Sequence, residues 1–480
     1  MSAEDIGKLP DVSIAESLAR LPGLAGQRVG GRAQVIQIRG LSPDFAGTLL
    51  NGRAQVTTGD NRSVEYDQFP SELINAATVY KTPDASLIGQ GLSGTIDLKT
   101  LRPLDMPGRS VSLNARYESN SNGALNAGSS GNGKRFSASY VDQFANRTVG
   151  VALGIAHLDS PGQELHYKAW GFSGPGRDCL VHPEWGCSKP TGIADSTSFL
   201  NGFEVEALSR EQKRTGLMGV LEYKHNKDVP STLDLYYSKF KKNETMRGLM
   251  GGMGDGWGGT AGATFSNVQT APVGGTTTLV TAATVAGVAP MVVRNDLNTR
   301  DDELKSLGWN TKLRFGGGWT AIADLSYSNA KREENVIETY ATTFSGSTKP
   351  LATFTTVVPL QGFPTLTPNL NYADAANTKL SDPGGWGHDG RCKKPKANDT
   401  INALRLEARK DLGGAFTTVD FGLNYGTRTK EREMNELAAD LKNGRAPIAV
   451  PGNLLQAPTS LSFAGIPGVL ANEVMGALNS

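Results

Sequence analysis

Side chains able to do chemistry occur throughout the 480-residue chain, but not in working arrangements. Its five histidines, His157, His166, His182, His225 and His388, show none of the spacing, such as HExxH, that sets two imidazoles on one metal ion. No Ser/His/Asp or Cys/His set supplies a nucleophile with its base. Gly89-Gln-Gly91-Leu-Ser-Gly94 satisfies G-x-G-x-x-G, the loop that lays a dinucleotide pyrophosphate on a helix N-terminus. Here the glycines run into the β-prone Thr95-Ile-Asp-Leu-Lys99, and Leu113 to Tyr117, where a ribose-binding acid belongs, holds none. A tight turn is expected instead. Gly251 to Gly259, with Met253, Asp255 and Trp257, lacks the Lys-Ser/Thr of a phosphate cradle and reads as an external loop. Three cysteines are too few for a disulfide scaffold and lack zinc-site spacing. Cys179 and Cys187, close together in a Gly/Pro-rich stretch, suit either one local disulfide in an oxidising compartment or two unpaired thiols. Nothing argues for an enzyme, and no cofactor or metal is expected.

The bulk properties narrow the class. Lys+Arg 48 against Asp+Glu 47 leaves a net charge of +1, which removes the electrostatic argument for nucleic acid. With 38% hydrophobic residues and a mean hydropathy of −0.31, a bundle of membrane helices is not expected, since each span needs ~20 mainly apolar residues. Leu279 to Val293 is mildly apolar but too short, and Pro290 interrupts it. A transmembrane β-barrel escapes this test, because its strands alternate and never form a long apolar run. Gly, at 58 of 480 residues, is about 12% against a usual ~7%, so turns and close backbone contacts are abundant.

The first hundred residues read as a small α/β unit. Ser13 and Glu16 form a capping box, Ile14, Leu18 and Leu21 share a helical face, and Pro22-Gly23 ends the helix. Gln34 to Arg39 is an apolar-rich strand candidate closed by Gly40. Asn51-Gly52 after Thr48-Leu-Leu signals a type I′ turn, because both residues accept φ > 0. Pro70 to Ile74 looks like one helical turn, and Ala77 to Tyr80 and Thr95 to Lys99 like strands.

From about residue 109 a period of two takes over. Val111, Leu113, Ala115 and Tyr117 alternate with polar residues, and Val149, Val151, Leu153 and Ile155 with Gly150, Ala152 and Gly154. The pattern returns in Leu233, Leu235 and Tyr237, in Ala321, Ala323, Leu325 and Tyr327, and in Val419, Phe421, Leu423 and Tyr425. Short turns near Asp142 to Asn146, His225 to Pro230, Gly316 to Gly318 and Asp411 to Gly414 separate long connections around 119–132, 160–210, 243–303 and 331–399. Long structureless loops are uncommon in compact soluble domains. Short turns at one end and long loops at the other characterise outer-membrane barrels. Tyr117, Tyr140, Tyr223, Tyr237, Tyr327 and Tyr425 fit an interfacial aromatic girdle.

With these residues in order, the chain resembles a TonB-dependent receptor of the bacterial outer membrane. The matching segments are Leu9-Pro10-Asp11, Ile14 to Leu18, Leu21-Pro22-Gly23, Ile38-Arg39-Gly40-Leu41, Leu50-Asn51-Gly52-Arg53, Phe69 to Ile74, Val79 to Pro83 and Gly91 to Leu98. They cover nearly all of residues 2–104 and are specific to the receptor's plug domain, with Arg39, Gly40, Asn51, Gly52 and Arg53 as its motif residues. The strands that follow match in architecture only. The wording around Ser2 to Pro10 and Asn51 to Arg53 is similar to the subfamily linked to oligosaccharide uptake rather than to the ferric-siderophore receptors.

The resemblance implies a membrane all-β protein, with a mixed α/β plug domain at 1–105 followed at 106–480 by about nine antiparallel strands of an incomplete outer-membrane β-barrel with long extracellular loops. It implies no catalysis. Ligand, an oligosaccharide or alternatively a ferric siderophore, binds outside a Gram-negative cell. TonB, working with ExbB and ExbD, then pulls from the periplasm, and the outer wall meets outer-membrane lipid. By position, Gln55 to Arg62 becomes an apical plug loop in which Gln55, Asp60 and Arg62 hydrogen-bond a hydroxylated ligand. Arg39 and Arg53 are candidates to lock the plug to barrel carboxylates. Trp170, Trp185 and Trp257 are candidates to stack on sugar rings. A secreted β-rich adhesin is the reading from another class, and it has no use for a plug.

The family begins with a signal peptide and a TonB box and closes a barrel of about 22 strands on an aromatic residue. The sequence from Met1 shows no basic stretch followed by an apolar core, and Ala-Leu-Asn-Ser480 is not such an end. The expectation is therefore a fragment, truncated at both ends, which alone neither closes a pore nor transports.

Overall fold

The computed structural model describes residues 13–29, 32–82, 84–85, 87–88, 91–175, 189–254, 262–275, 277–414, 416–474 and 477. The N-terminal unit opens with helix α1 (Ile14–Leu18), whose Ile14, Ala15 and Leu18 are fully buried. Ser13 stands at its N-cap but makes no side-chain cap. Its hydroxyl instead donates to the carbonyl of Ala33 at 2.8 Å, so the expected capping box is replaced by a tie to the next sheet, and the helix stops before Leu21. That sheet is the antiparallel pair β1 (Leu24–Val29) and β2 (Arg32–Ile38).

A second sheet has β3 (Ala46–Leu50), β4 (Arg53–Ala54), β5 (Ala76–Tyr80) and β6 (Gly94–Lys99) in the order β4-β3-β6-β5, with β3 and β6 parallel. Asn51 and Gly52 have φ of 54° and 80°, the paired left-handed conformations of a type I′ turn, and return the chain from Leu50 to Arg53. At Gly91 a Cβ would lie 2.3 Å from both the amide of Gly47 and the carbonyl of Phe45. That glycine serves a backbone crossing, and strand β6 follows the G-x-G-x-x-G segment. Ile36, Leu50, Val56, Tyr66, Phe69, Ile96 and Leu98 close the core of this unit.

The rest is strand-rich. First come β7 (Ser110–Ser119), β8 (Asn132–Phe144), β9 (Val149–Ala169), β10 (Phe172–Ser173), β11 (Thr197–Leu200), β12 (Gly202–Lys224), β13 (Pro230–Gly252), β14 (Thr264–Gly274) and β15 (Thr277–Val288). Then follow β16 (Val292–Phe315), β17 (Trp319–Thr343), β18 (Ala352–Val357), β19 (Thr365–Pro368), β20 (Thr378–Leu380), β21 (Gly390–Asp411), β22 (Thr418–Ala439), β23 (Ile448–Ala449), β24 (Leu455–Leu461) and β25 (Ile466–Asn472). Nine of them, among the described residues, make one antiparallel wall in the order β7-β8-β9-β12-β13-β16-β17-β21-β22. β7 and β22 lie at its two ends. Among the described residues no helix is long and apolar enough to cross a membrane, which says nothing of crossing by strands.

The wall has two faces. Outward stand Leu235, Leu307, Trp309, Leu325, Tyr327, Phe421, Leu423 and Tyr425, all exposed. Trp319 and Tyr327 lie eight residues apart on β17, about 26 Å at ~3.3 Å per residue, the height of a barrel's apolar band. Beyond the upper level, where Tyr237 and Tyr327 sit, the outward residues become charged, as in the pairs Lys239–Asp301 and Lys305–Glu303. The lower aromatic level holds Tyr223 and also Phe315, Trp319 and Phe421, which the tyrosine pattern alone did not reveal.

Inward, small residues admit the N-terminal unit. A Cβ on Gly154 would lie 2.6 Å from the Leu73 side chain, and one on Gly216 only 2.4 Å from Pro70 Cγ. We therefore expect Gly216→Leu to lower stability by about 1–3 kcal/mol through overpacking. Gly219→Ala, whose Cβ meets Leu235 at an ordinary 3.5 Å, should stay within about 0.5 kcal/mol. Urea midpoints in detergent check both.

The long connections depart from expectation. The wall strands run on well past the aromatic level, to 21–25 residues each in β9, β12, β13, β16, β17, β21 and β22, so the connecting segments are shorter than the sequence pattern suggests. Just past that level both faces are largely polar, which erases the alternation while the ladder hydrogen bonds and cross-strand ion pairs persist, and farther on Phe203, Val205, Leu249 and Val293 enter a second core. The connections are also not structureless. β10, β11, β15, β18 and β19 form an outer sheet with β14 on its side. Leu279 to Val293 largely belongs to β15, and its apolar residues join Phe199, Phe203, Phe354 and Leu366 in a separate core.

Candidate functional site: the N-terminal unit in the strand lumen

Arg53 follows the type I′ turn directly, so the turn aims it from β4 into the wall. Its guanidinium, in a residue only 7% exposed, makes a forked contact with Asp324 of β17, Nε to Oδ1 at 2.9 Å and Nη2 to Oδ2 at 2.8 Å. Nη1 donates to Asp234 of β13 at 2.6 Å. Arg102 Nη1 and Asn51 Nδ2 donate to Asp234 Oδ1 at 2.7 and 3.2 Å, and Asn310 Nδ2 to Asp324 Oδ2 at 3.0 Å. Gly308 on the intervening β16 makes room, since a Cβ there would stand 2.3 Å from the guanidinium carbon. Two arginines thus face two carboxylates at the edge of a polar cavity of about 420 Å³. Such a network fixes register and is severely upset by removing one member. Arg39 and Gly40, with φ of 55° and 73°, form the turn after β2, and both are exposed. Arg39 makes no salt bridge to a wall carboxylate among the described residues.

The segment Gln55 to Arg62 is tied into the same lumen nearer the long connections. Gln55 is 3% exposed, and its Nε2 donates to the carbonyl of Arg53 at 3.0 Å. Asp60 pairs with Arg332 of β17 and, at 3.2 Å, with Arg432 of β22. Partial burial pushes the Asp60 carboxyl up, but the Arg332 hydrogen bond and the charges of Arg332, Arg432 and Lys430 bring it below its ordinary range. Arg62 has an exposed side chain, and its amide donates to Asp44 Oδ1 at 3.1 Å. Lys430 Nζ donates to the carbonyls of Gly59 and Asn61 at 2.6 and 2.5 Å, and the Thr57 amide donates to Asp399 Oδ2 at 3.2 Å. Glu65 accepts from the Thr57 hydroxyl at 2.9 Å. Burial raises its carboxyl above the usual range despite Arg300 and Thr57.

Further contacts that the sequence did not reveal complete the seat. Gln68 Nε2 donates to Asp302 Oδ2 at 2.8 Å, and Tyr236 Oη donates to the Gln68 carbonyl at 2.8 Å. Phe69 stacks on Tyr236 with ring centroids 5.3 Å apart. Arg214 donates to the carbonyl of Asp67, and Arg32 Nη1 to Ser160 Oγ at 3.1 Å. The only advance signal for such contacts was charge on the small-residue face of each strand.

Trp170, at the end of β9, packs against Gly202 and donates its Nε1 to Glu204 Oε1 at 2.9 Å. It is apart from the 55–62 segment. Trp185, Trp257, Cys179 and Cys187 lie outside the described residues. Cys392, on β21, is a half-buried free thiol. Among the described residues no group of His, Cys, Asp or Glu is disposed to hold a metal ion.

The family described as TonB-dependent Receptor Plug Domain matches residues 1–96. The ferric enterobactin receptor PfeA of Pseudomonas aeruginosa is similar at 11% identity and a TM-score of 0.34, over 86% of this chain and 70% of that one. The siderophore receptor PirA of Acinetobacter baumannii is similar at 11% and 0.28 over 96% and 82%, and the outer membrane transporter YddB of Escherichia coli at 11% and 0.31 over 86% and 67%. Residues 1–96 thus match the plug domain of TonB-dependent receptors, and the unit they form is seated against one continuous antiparallel wall with an apolar outer face.

Proposed function

We propose that the chain serves outer-membrane uptake in a Gram-negative cell: residues 1–105 act as the plug and 106–480 as barrel wall, and a ligand bound at the long-connection side passes inward when TonB, with ExbB and ExbD, displaces the plug. The observation that carries this reading is the Arg53–Asp234–Asp324 cluster, which fastens plug to wall toward the short-turn end through noncovalent contacts. A noncovalent, charged latch yields to a pull and re-forms afterwards. An oligosaccharide is the proposed ligand, supported by the likeness of Ser2 to Pro10 to the sugar-linked subfamily and by polar groups at the long-connection side. Asp60 and Arg62 offer hydrogen bonds from the plug, and the edge of Trp170 offers an apolar platform.

Calorimetric titration of the detergent-solubilised chain with neutral oligosaccharides and with a ferric catecholate siderophore tests the ligand class. Saturable oligosaccharide binding, weakened about five- to tenfold in Trp170→Ala, is expected from loss of one aromatic contact of about 1 kcal/mol or slightly more. Binding of the siderophore alone would replace the sugar reading with the iron one.

A further inference from the structure

Where the apical segment of the N-terminal unit meets the wall, three wall cations converge on one carboxylate. The Asp60 side chain is 46% exposed, Arg332 of β17 pairs with its Oδ1, Arg432 of β22 with its Oδ2 at 3.2 Å, and Lys430 of β22 stands beside them. Both strands run without a bulge, Arg332 is eight residues from Asp324, and Lys430 and Arg432 are opposite in phase to the outward Tyr425, so all three share the lumen face with the N-terminal unit. Arg332 lies five residues beyond Tyr327, about 16 Å along the strand at ~3.3 Å per residue, above the apolar band on the long-connection side.

The wall does little to balance these charges. Arg432 has no other carboxylate partner among the described residues, and Lys430 Nζ meets only the carbonyls of Gly59 and Asn61. Arg332 is 6% exposed, its Nε–H has no hydrogen-bond acceptor among the described residues, and its other ion-pair partner, Glu334, stands 3.7 Å away. Around the apical segment the wall sets Arg300, Arg332, Arg428, Lys430 and Arg432 against three carboxylates, Asp302, Glu334 and Asp399. Asp302 and Asp399 are fully buried and already taken by Arg300 and Arg428. The plug meets the remaining surplus with Glu65 and Asp60. Glu65 is buried and bonded within the plug by Thr57 and Thr58, so Asp60 is the one that an incoming group can replace.

Ion pairs to a half-exposed carboxylate are screened by solvent and readily exchanged, whereas a buried guanidinium left without a counter-charge is unfavourable. The site therefore favours being filled by one anion or another. We infer that Arg332, Lys430 and Arg432 form a subsite for the anionic group of a ligand, which Asp60 fills in the resting plug, so that ligand binding and docking of the apical segment compete. A ligand carboxylate takes the place of Asp60 between the two guanidinium groups, and its second oxygen meets the Arg332 Nε–H, completing the fork that Asp60 leaves open. Binding undocks the segment around Asp60, and by reciprocity a docked segment weakens binding by the same factor. This deepens the uptake reading and rests on it for the route by which the ligand arrives: the oligosaccharide would carry carboxylates that displace Asp60, while the exposed Arg62 stays available to its hydroxyls.

The test titrates the whole chain in detergent with trigalacturonate, with its neutral methyl ester and with an anionic ferric catecholate. Trigalacturonate should bind at least about tenfold more tightly than the ester, a preference that Arg332→Gln and Arg432→Gln should each reduce to less than about threefold. Asp60→Asn removes the competitor and keeps both arginines. It should tighten trigalacturonate binding about three- to tenfold, which keeps the test open should an arginine variant fold poorly. The amides of Thr58, Gly59 and Arg62 donate within the plug, so their hydrogen exchange reads the docking. Saturating trigalacturonate should speed that exchange about tenfold, and the ester should not. Equal binding of acid and ester, a preference that survives both arginine variants, an Asp60→Asn chain that binds no more tightly, or acid binding without faster exchange overturns the subsite and leaves the oligosaccharide reading intact. Ferric catecholate binding that Asp60→Asn tightens, without binding of either sugar, supports the subsite and overturns the oligosaccharide reading. No binding of any probe overturns both.

Discussion

Arg53→Met is expected to loosen the plug from the wall by about 3–5 kcal/mol, because it strips a counter-charge from two largely buried carboxylates. Asp234 retains Arg102, at 2.7 Å, and Asn51. Asp324 retains the hydrogen bond from the Asn310 amide and the nearby charge of Arg405, its cross-strand neighbour, but no forked partner among the described residues, and suffers more. The side chains of Arg53, Asp234 and Asp324 are 7%, 11% and 15% exposed, so solvent screening softens the loss only slightly. Hydrogen exchange of the β3, β4 and β6 amides reads the effect locally. Their protection should fall by roughly two to three powers of ten, at ~1.4 kcal/mol per tenfold, while the upper strands of the wall keep theirs. Lysine at position 53 should recover only part of the loss, since an ammonium reproduces the charge but not the fork.

Phe69→Ala is expected to cost about 3–5 kcal/mol by a different route, the loss of a fully buried ring and the cavity left behind. Phe69 belongs to the plug core and also stacks on Tyr236 of β13, so its removal loosens two interfaces together. The Tyr236 hydroxyl is held by the Gln68 carbonyl, which limits how far the wall can collapse into the gap. Pulse proteolysis across a urea series should show the plug segment cleaved at a distinctly lower midpoint than in the parent chain. Phe69→Leu, which fills most of the volume, should restore more than half of the difference.

What the residues disclosed in advance follows the range of the forces involved. Asn51-Gly52 announced its turn because φ > 0 at two successive residues is a local demand, and 54° and 80° are the observed values. Val149 to Ile155 announced a two-faced strand because every second residue meets the same surroundings. The partners of Arg53 were not readable, since Asp234 and Asp324 lie 181 and 271 residues away and look like any acid on a polar strand face. Ser13 misled, because a capping signature counts only local partners and its hydroxyl found Ala33, twenty residues on. The upper halves of β13, β16 and β17 hid for another reason. With Lys239 and Lys241 outside and Lys242 and Glu244 inside, polarity no longer marks a face, although the strand continues.

The claim that holds the rest together is that Arg53 fastens the plug to the wall through Asp324. A double-mutant cycle of Arg53→Met and Asp324→Ala, read as opening free energies from hydrogen exchange of β3 and β4 in the detergent-solubilised chain, measures that link directly. A coupling of about 1.5–3 kcal/mol is predicted, with the double variant much less damaged than the sum of the singles. Losses that simply add, to within about 0.5 kcal/mol, would mean the two side chains act independently and would contradict the latch.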